Sequence, residues 1–260
     1  MITAGIDIGS STAKAVILQD NRIIAYSILP TGADSAGAAQ KALDTALLNA
    51  SDISRASLQG IVGTGYGRLI IPFASETVTE ISCHARGANW LFPTVRTVVD
   101  MGGQDCKAIR CDGAGKLVNF AMNDKCAAGT GRFLELMARV VNVPLEELGG
   151  LSLQAKSAIR INSTCAVFGR SEVTALLRQG KDRAAVIAGL HAAVAARVYT
   201  LLRRVGVQPD FAITGGIARN MGVVRRLEEM AGIKALLPEE PQIVGALGAA
   251  LFAQDRIRNK

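Results

Sequence analysis

Two stretches of this chain repeat one pattern of residue types, in which an aspartate is followed two residues later by a glycine. The first runs from Ile6 to Val16 and the second from Val99 to Ile109, with lysine, alanine and a β-branched residue at matching offsets. Backbone N–H groups in a glycine turn can approach phosphate oxygens closely. A neighbouring aspartate can hold Mg²⁺ directly or through water. The repeat therefore predicts a nucleotide clamp made by duplication.

Each repeat lies between two apolar runs that have the residue types of β-strands. The runs are 3–8 and 13–18 in the first repeat, and 97–101 and 106–109 in the second. A strand, a tight glycine turn and a returning strand form a β-hairpin. We therefore expect two hairpins in two similar half-domains that face one ligand, with Asp7 and Asp100 at their mouths.

A third glycine turn, Gly215-Gly216, follows an apolar strand expected at Phe211–Ile213. One glycine turn after a strand is ordinary, but three such turns, two with matching aspartates, favour a binding role. The chain has no Gly-x-x-x-x-Gly-Lys-Ser/Thr motif, so it is not a P-loop protein. Gly63–Arg68 is no dinucleotide fingerprint either, because its glycines stand at every second position and a βαβ context is missing.

The composition indicates a globular protein, since 49% of its 260 residues are hydrophobic and 20% are charged. No apolar run reaches the ~18 residues of a membrane span, and the N-terminus begins with a strand pattern, not a signal peptide. We therefore expect a cytoplasmic protein with no membrane partner. The formal net charge is +7, but aromatic residues make up only 4%, which leaves little for base stacking. This favours a solvated basic surface, or docking of an acidic protein, over nucleic-acid binding.

The apolar pattern predicts two halves, residues 1–95 and 96–244, with a C-terminal helix at about 245–260 that packs back on the first half. Pro93 breaks the preceding helix, and residues 92–96 are therefore the expected hinge. Periodicity further predicts a strand at 59–64 and helices near 35–49, 75–92, after Arg132, through 173–177 and from about 182 to 205.

The five cysteines form no disulfide framework, because their number is odd and the chain reads as cytosolic. Cys126 and Cys165 each lie in a polar, turn-forming stretch before a helix, where the helix N-terminus favours a thiolate or an anionic cluster. A [4Fe–4S] cluster commonly takes four thiolates, and a two-fold homodimer would supply the other two. Spacing alone leaves buried structural thiols as the alternative.

The remaining cysteines and both histidines give no metal site by their spacing. Cys106 and Cys111 are five residues apart and should face opposite sides of a strand. Cys83 and His84 are adjacent within a helix, where their side chains diverge by roughly 100°. His191 is expected to be a surface or core residue of the long helix.

These motifs resemble the actin, Hsp70 and sugar kinase superfamily. The two hairpins resemble its phosphate loops and 214–218 its adenosine loop, which implies an α/β fold of two ribonuclease-H-like half-domains with an ATP cleft between them. The segments 102–105, 122–133 and 163–168 are similar to the ATP-dependent activators of 2-hydroxyacyl-CoA dehydratases, in the BadF/BadG/BcrA/BcrD-type ATPase family. The resemblance covers essentially the whole chain. It departs after Phe168, where Gly169-Arg170 stands in place of the expected Ala-Glu.

The resemblance implies MgATP in the cleft of each subunit, with Asp7 and Asp100 organising Mg²⁺ and water and Gln104 or Asp105 orienting the attacking water. Asp7, Asp100, Gln104 and Asp105 are thus the catalytic candidates, and the choice among them stays open. The predicted cofactor-binding residues are Gly9, Ser10, Ser11, Thr12, Ala13, Lys14, Gly102, Gly103, Gln104, Gly129, Gly215, Gly216 and Gln242.

The resemblance also implies one [4Fe–4S] cluster per homodimer, ligated by Cys126 and Cys165 of each subunit and sensitive to oxygen. The expected function is ATP-driven, low-potential, one-electron transfer to an iron–sulfur dehydratase or a related reductase such as a double-cubane cluster protein. An upstream donor such as ferredoxin or flavodoxin would reduce the cluster. The alternatives are a small-molecule kinase, which gives the two cysteines no role, and a cluster-free ATPase clamp acting on a protein partner.

Overall fold

A computed structural model describes residues 1–124, 126–162 and 165–259 of the chain. Lys125, Ser163 and Thr164, which belong to the two cysteine-bearing motifs, lie outside the described residues, as does Lys260 at the end of the predicted C-terminal helix. Over the described part, the chain forms two five-stranded sheets and eight α-helices.

The two sheets have the same strand arrangement, which confirms the predicted duplication. Their orders are β3-β2-β1-β4-β5 and β8-β7-β6-β9-β10. In each sheet the first three strands form an antiparallel meander, and the fourth runs parallel beside the first. In chain order the strands are β1 (Ile2–Ile8), β2 (Thr12–Gln19), β3 (Arg22–Pro30), β4 (Gly60–Thr64), β5 (Glu76–Thr77), β6 (Thr97–Met101), β7 (Cys106–Cys111), β8 (Leu117–Asn123), β9 (Phe211–Thr214) and β10 (Ala235–Leu236).

Side-chain caps fix the starts of four helices. Asp34, Thr79, Asp182 and Asn220 each accept a hydrogen bond from the backbone N–H three residues further on, which satisfies a donor that the helix leaves unpaired. The helices are α1 (Ser35–Leu48), α2 (Glu80–Leu91), α3 (Gly131–Val141), α4 (Leu148–Gln154), α5 (Ala166–Arg178), α6 (Arg183–Val205), α7 (Met221–Ala231) and α8 (Val244–Arg258).

The helix predicted from residue 75 begins later, at Glu80. The preceding residues Glu76–Thr77 form the edge strand β5, which pairs with β4, and Thr79 caps the helix. The prediction was wrong at this end because an isolated two-residue strand leaves no period in the sequence.

The two sheets exchange helices. Helix α2 follows the first sheet but packs on the second, with Ile81, Ala85 and Ala88 in one cluster with Val98 and Ile109. Helix α8 follows the second sheet and packs on the first, with Leu247, Ala250 and Leu251 against residues of β2. The domain boundary at 95/96 remains a prediction. Helix α2 precedes this boundary in the chain, whereas the sheet that it covers follows it.

Helices α2 and α8 cross in direct backbone contact at glycines. A Cβ at Gly87 would overlap the carbonyl oxygen of Val244, and a Cβ at Gly248 would overlap that of Cys83. Gly5 of β1 meets the backbone of α8 in the same way, at Ala246. Glycine is therefore required for the close approach of the three elements.

Among the described residues, one helix, α6, is long and apolar enough to cross a membrane, with a window of mean hydropathy 1.6. Of that window, 67% is buried inside the protein. Val186, Leu190, Val194 and Val198 of α6 lie in the large hydrophobic cluster of the second half. Helix α6 is therefore a core helix of the fold.

The glycine contact between α2 and α8 predicts that Gly248→Ala destabilises the protein. The added methyl group would press on the backbone of Cys83, and overpacking of this kind costs about 1–3 kcal/mol or more. Gly150→Ala in α4 is the matched control, since its Cβ would meet nothing within 4 Å. Urea unfolding should give a lower midpoint for Gly248→Ala and an equal or higher one for Gly150→Ala. Equal midpoints in Gly248→Ala and the wild type would contradict the described crossing.

Candidate functional site

The two predicted aspartates lie at equivalent ends of the central strands and are both 5% exposed. In the antiparallel pairing, Asp7 is opposite Lys14 and Asp100 is opposite Lys107. Lys14 Nζ lies 3.1 Å from Asp7 Oδ2, and Lys107 Nζ lies 3.6 Å from Asp100 Oδ2. Each half therefore presents a buried carboxylate compensated by a lysine of the neighbouring strand.

Lys107 also holds Asp105, whose Oδ1 is 2.8 Å from its ammonium group. Burial alone would lower the pKa of Lys107, but attraction to Asp100 and Asp105 outweighs it and raises that pKa above its ordinary value. Lys107 was not among the predicted site residues. The signal for it was present, since it stands at the same offset from Asp100 as Lys14 does from Asp7.

The Asp100 carboxyl is ionised in this setting. Burial would raise its pKa, but the attraction of His84, Lys107 and Lys14 is stronger and holds the pKa below its ordinary value. Two carboxylates facing one cleft provide the oxygen ligands that Mg²⁺ prefers, either directly or through its waters.

The turns of the two hairpins meet in space. A Cβ at Gly103 would overlap Ser11 Oγ and lie 3.4 Å from Ser10 Oγ. Gly9 N–H donates to Thr12 O, and Gly102 N–H donates to Asp105 O, both at 3.0 Å. Ser11 Oγ is buried and has no hydrogen-bond partner among the described residues. An unpaired hydroxyl between two glycine turns is suited to a phosphate oxygen.

The predicted residues of this region differ in exposure. Thr12 is half-buried at the start of β2, Ala13 is buried in that strand, and Gln104 is exposed at the tip of the second hairpin. Asp105 is half-buried and held by Lys107. The geometry thus links Asp105, through Lys107, to the buried carboxylate of Asp100.

Two further glycine turns lie under the carboxylates. Gly65 after β4 has φ +88° and Gly215 after β9 has φ +81°, a region that favours glycine. A Cβ at Gly65 would overlap Asp7 Oδ1, and one at Gly215 would lie 2.6 Å from Asp100 Oδ1. Gly65 was missed, although 63–68 was recognised as a glycine loop.

The predicted nucleoside residues lie together beside the second sheet. Gly215 N–H donates to Pro241 O at 2.9 Å, and a Cβ at Gly216 would be 3.5 Å from Gln242 Nε2. Gln242 N–H donates to Glu240, whose carboxylate pairs with Arg219. Gln242 therefore faces the glycine turn at the end of β9.

His84 of α2 is a site residue that the sequence did not reveal. It is 4% exposed, its Nδ1 lies 3.0 Å from Thr214 Oγ1, and its Nε2 lies 3.5 Å from Asp100 Oδ2. Spacing excluded a metal site at Cys83-His84 but gave no hint of this contact, which depends on the helix exchange between the halves.

All five cysteines are free, and exposure divides them as predicted into two groups. Cys126 and Cys165 are exposed, whereas Cys83, Cys106 and Cys111 are at most 2% exposed. Burial raises the pKa of Cys83 to about 12 and raises those of Cys106 and Cys111. The three buried thiols are therefore protonated. Cys106 and Cys111 lie in different hydrophobic clusters, on opposite faces of the second sheet.

The two exposed cysteines precede two helices that pack together. Cys165 is the residue before α5 and its carbonyl accepts from Gly169 N–H at 2.8 Å, while Cys126 is held by both side-chain amide atoms of Asn123. A Cβ at Gly169 of α5 would lie 3.5 Å from Met137 of α3. No group of three or more His, Cys, Asp or Glu residues that could hold a metal ion occurs within the described parts of the chain.

The segment that carries Cys126 is tied to the second hairpin. Gly131 N–H donates to Gly102 O at 2.9 Å, and Arg132 N–H donates to Gly103 O at 2.8 Å. The thiol of Cys106 donates to Gly129 O at 2.9 Å. Gly129, predicted as a cofactor residue, therefore lies against β7, next to the phosphate-type turn.

Duplicated halves, paired carboxylates and facing glycine turns define a nucleotide-binding ATPase of the actin, Hsp70 and sugar kinase fold. The chain belongs to the BadF/BadG/BcrA/BcrD ATPase family, whose model matches residues 4–253. The predicted family and fold are thereby confirmed.

Similar proteins match along their whole lengths. The activator of lactoyl-CoA dehydratase from Anaerotignum propionicum is 46% identical over 261 residues, covering 100% of both chains. The solved activator of the 2-hydroxyisocaproyl-CoA dehydratase from Clostridium difficile, with bound ADPNP, has a TM-score of 0.94 and 41% identity, covering 100% of this chain and 96% of that one. Component A of the Acidaminococcus fermentans (R)-2-hydroxyglutaryl-CoA dehydratase has a TM-score of 0.95 and 41% identity, covering 99% of each chain.

The contact between the hairpin turns predicts that Gly103→Ala weakens nucleotide binding. The methyl group would displace Ser11 Oγ and narrow the space between the turns, so we expect the Kd for MgADP to rise at least about tenfold, or 1.4 kcal/mol. Gly113→Ala, in the next turn of the same sheet, is the control and should bind normally. Calorimetric titration measures both. Unchanged affinity in Gly103→Ala would show that these turns do not hold the phosphates.

Proposed function

We propose that this protein is a cytoplasmic, homodimeric activator that couples ATP hydrolysis to low-potential, one-electron transfer to a partner iron–sulfur enzyme. The observation that carries the proposal is the pair of exposed thiols, Cys126 and Cys165, in a chain of an ATPase family. A kinase would need neither thiol on its surface. The names of the relatives, which are activators of 2-hydroxyacyl-CoA dehydratases, support the same partner class here.

The donor set fits half of a [4Fe–4S] cluster. Two exposed thiols per chain fall short of the four that such a cluster commonly takes, and a two-fold dimer supplies the second pair. Val167 and Phe168, next to Cys165, are both 69% exposed, as expected of side chains that a second subunit would cover. When bound, the cluster supplies a one-electron carrier at the dimer axis.

The proposed ATP site uses residues of the two hairpins. Ser11 Oγ and the backbone N–H groups of the two turns would hold phosphate oxygens. Asp7 and Asp100 would organise Mg²⁺, which when bound neutralises phosphate charge. Lys14, 3.1 Å from Asp7, would turn its ammonium group towards the phosphates. Asp105, which Lys107 holds in place, is a better candidate than the exposed Gln104 for orienting water.

Coupling between the two sites would run through the second hairpin. The carbonyls of Gly102 and Gly103 accept from the first amides of α3, so a movement of this turn with nucleotide state shifts the segment that carries Cys126. ATP hydrolysis can drive electron transfer only if the ATP-bound and ADP-bound states differ in their affinity for the partner or in the environment of the cluster. A hinge between the halves is the simplest device for such a difference.

The partner is proposed to be an iron–sulfur 2-hydroxyacyl-CoA dehydratase or a related reductase, such as a double-cubane cluster protein. An upstream donor such as ferredoxin or flavodoxin would reduce the activator. The formal net charge of +7 suits docking to acidic proteins of this kind. Arg170, on the exposed side of α5, would lie at the edge of that docking surface.

The cluster proposal predicts about four iron and four sulfide ions per dimer in protein purified without oxygen. Cys126→Ser and Cys165→Ser should each lose this content, because a hydroxyl is a poor cluster ligand. Cys111→Ser is the matched control, since that thiol is buried and donates to Val95 O, and it should keep the full content. Iron and acid-labile sulfide assays measure the result.

An iron-free protein after anaerobic reconstitution would overturn the electron-transfer proposal. The remaining hypotheses would then be a small-molecule kinase, tested by a phosphorylated product, and a cluster-free clamp, tested by partner-stimulated ATP hydrolysis. Loss of iron in all three serine variants would instead indicate general loss of folding, which thermal unfolding would reveal.

The coupling proposal predicts that Asp7→Asn lowers ATP hydrolysis by at least about a hundredfold and abolishes ATP-dependent reduction of the partner. The iron content should remain that of the wild type, because Asp7 lies in the other half of the chain from both exposed cysteines. Asp44→Asn, on the exposed side of α1, is the control. Unchanged electron transfer in Asp7→Asn would remove Asp7 from the mechanism.

A further inference from the structure

His84 contacts the carboxylate of Asp100, although it belongs to neither hairpin. Its ring nitrogens face Thr214 Oγ1 at 3.0 Å and Asp100 Oδ2 at 3.5 Å. A Cβ placed on Gly245 would lie 2.9 Å from His84 Nε2 and 3.2 Å from Asp7 Oδ2. The imidazole therefore contacts Asp100 of the second half, and Gly245 lies between it and Asp7 of the first half.

Two groups contact the Asp100 carboxylate. His84 Nε2 lies at ion-pair distance, 3.5 Å, from Asp100 Oδ2. The Thr214 hydroxyl lies 3.3 Å from Asp100 Oδ1 and 3.0 Å from His84 Nδ1, and it can donate its one proton to either. Both oxygens of Asp100 are thus bordered by groups that limit rotation of the carboxylate.

The first half lacks this bridge. In the sheet register Asp7 is opposite Thr64, just as Asp100 is opposite Thr214. Thr64 Oγ1 is buried and faces the thiol of Cys83 on the same helix, where Thr214 faces the imidazole of His84. Helix α2 thus contributes an imidazole to one of two otherwise equivalent carboxylates, and the site is asymmetric where the backbone is symmetric.

We propose that His84 is a positioning residue that fixes the orientation of the Asp100 carboxylate and its separation from Asp7, and so tunes the binding of the divalent cation that accompanies the nucleotide. The inference rests on the proposed role of Asp7 and Asp100 towards that cation. Outer partners that orient a ligand group typically change metal affinity or activity by 10–100-fold when removed. No part of the proposal involves the exposed cysteines.

The test measures Mn²⁺ binding to the ADP-bound protein from the EPR signal of free Mn²⁺, without partner enzyme or turnover. His84→Ala should weaken Mn²⁺ binding about 10–100-fold, with ADP still bound at saturating Mn²⁺. His84→Gln, whose amide reaches about as far as Nε2, should restore most of the affinity. His84→Asn, whose amide reaches only as far as Nδ1, should not.

Equal Mn²⁺ affinity in the wild type and His84→Ala would overturn the proposal. An equal loss in His84→Gln and His84→Asn would do the same, because it would indicate a packing role. Thermal unfolding accompanies each variant, since loss of folded protein reduces the number of Mn²⁺ sites without changing their affinity.

Gly245→Ala tests the space between His84 and Asp7 without removing a functional group. The atoms nearest to its methyl group would be the ends of two side chains, His84 and Asp7, so we expect weaker Mn²⁺ binding even if His84→Ala does not fold. Arg86→Ala, on the same helix but paired with Asp255 at the surface, is the matched control and should bind as the wild type does. Normal Mn²⁺ binding in Gly245→Ala would contradict the proposal.

The result also separates this inference from the electron-transfer proposal. Iron content and partner reduction depend on Cys126 and Cys165, whereas Mn²⁺ affinity depends on the cleft. If the wild-type protein holds no iron but the His84 variants change Mn²⁺ affinity as expected, only the electron-transfer proposal is rejected. If the protein holds iron but the His84 variants bind Mn²⁺ normally, only the His84 inference is rejected.

Discussion

The structure depends on how two like charges are kept buried at the mouth of one cleft. A buried carboxylate costs several kcal/mol unless opposite charge and hydrogen bonds compensate it. Asp7 and Asp100 each have a lysine directly opposite on the next antiparallel strand. A slip of one residue in either hairpin would turn that lysine to the other face of the sheet. The charge compensation of Asp7 and Asp100 therefore requires the observed register in both hairpins.

The duplication explains the two carboxylates, and the exchanged helices join the two halves around them. Helix α2 leaves the first sheet and brings His84 to Asp100, while α8 brings Gly245 next to Asp7. Glycines at the crossing let the helices approach until their backbones touch. The Cys126 segment, in turn, is bonded to the second hairpin through the first amides of α3.

The sequence was sufficient for features that depend on local pattern. Matching offsets around Asp7 and Asp100 predicted both hairpins and the half-domain duplication. Polar turns before helices singled out Cys126 and Cys165, and these are the two exposed thiols. The same offsets contained Lys107, although it was not among the predicted site residues. Strand β8 was not predicted, since its exposed and half-buried residues lack the alternation of a one-sided strand.

His84 shows why the rest could not be predicted. Its partner Thr214 is 130 residues away in the chain, and the contact exists only because α2 packs on the sheet that it does not follow. Local periodicity assigns His84 to a helix but does not indicate which of the two sheets that helix packs on. The start of α2 was misplaced for a similar reason, because β5 exists only as the partner of β4.

The central claim is that the nucleotide cleft and the exposed cysteines form one coupled device. The most direct measurement is the EPR spectrum of the anaerobically reduced wild-type protein, recorded with MgADP and then with a non-hydrolysable MgATP analogue. The account predicts a cluster signal whose line shape changes between the two nucleotides, because the second hairpin carries the Cys126 segment with it. Superimposable spectra, or no cluster signal at all, would contradict the account.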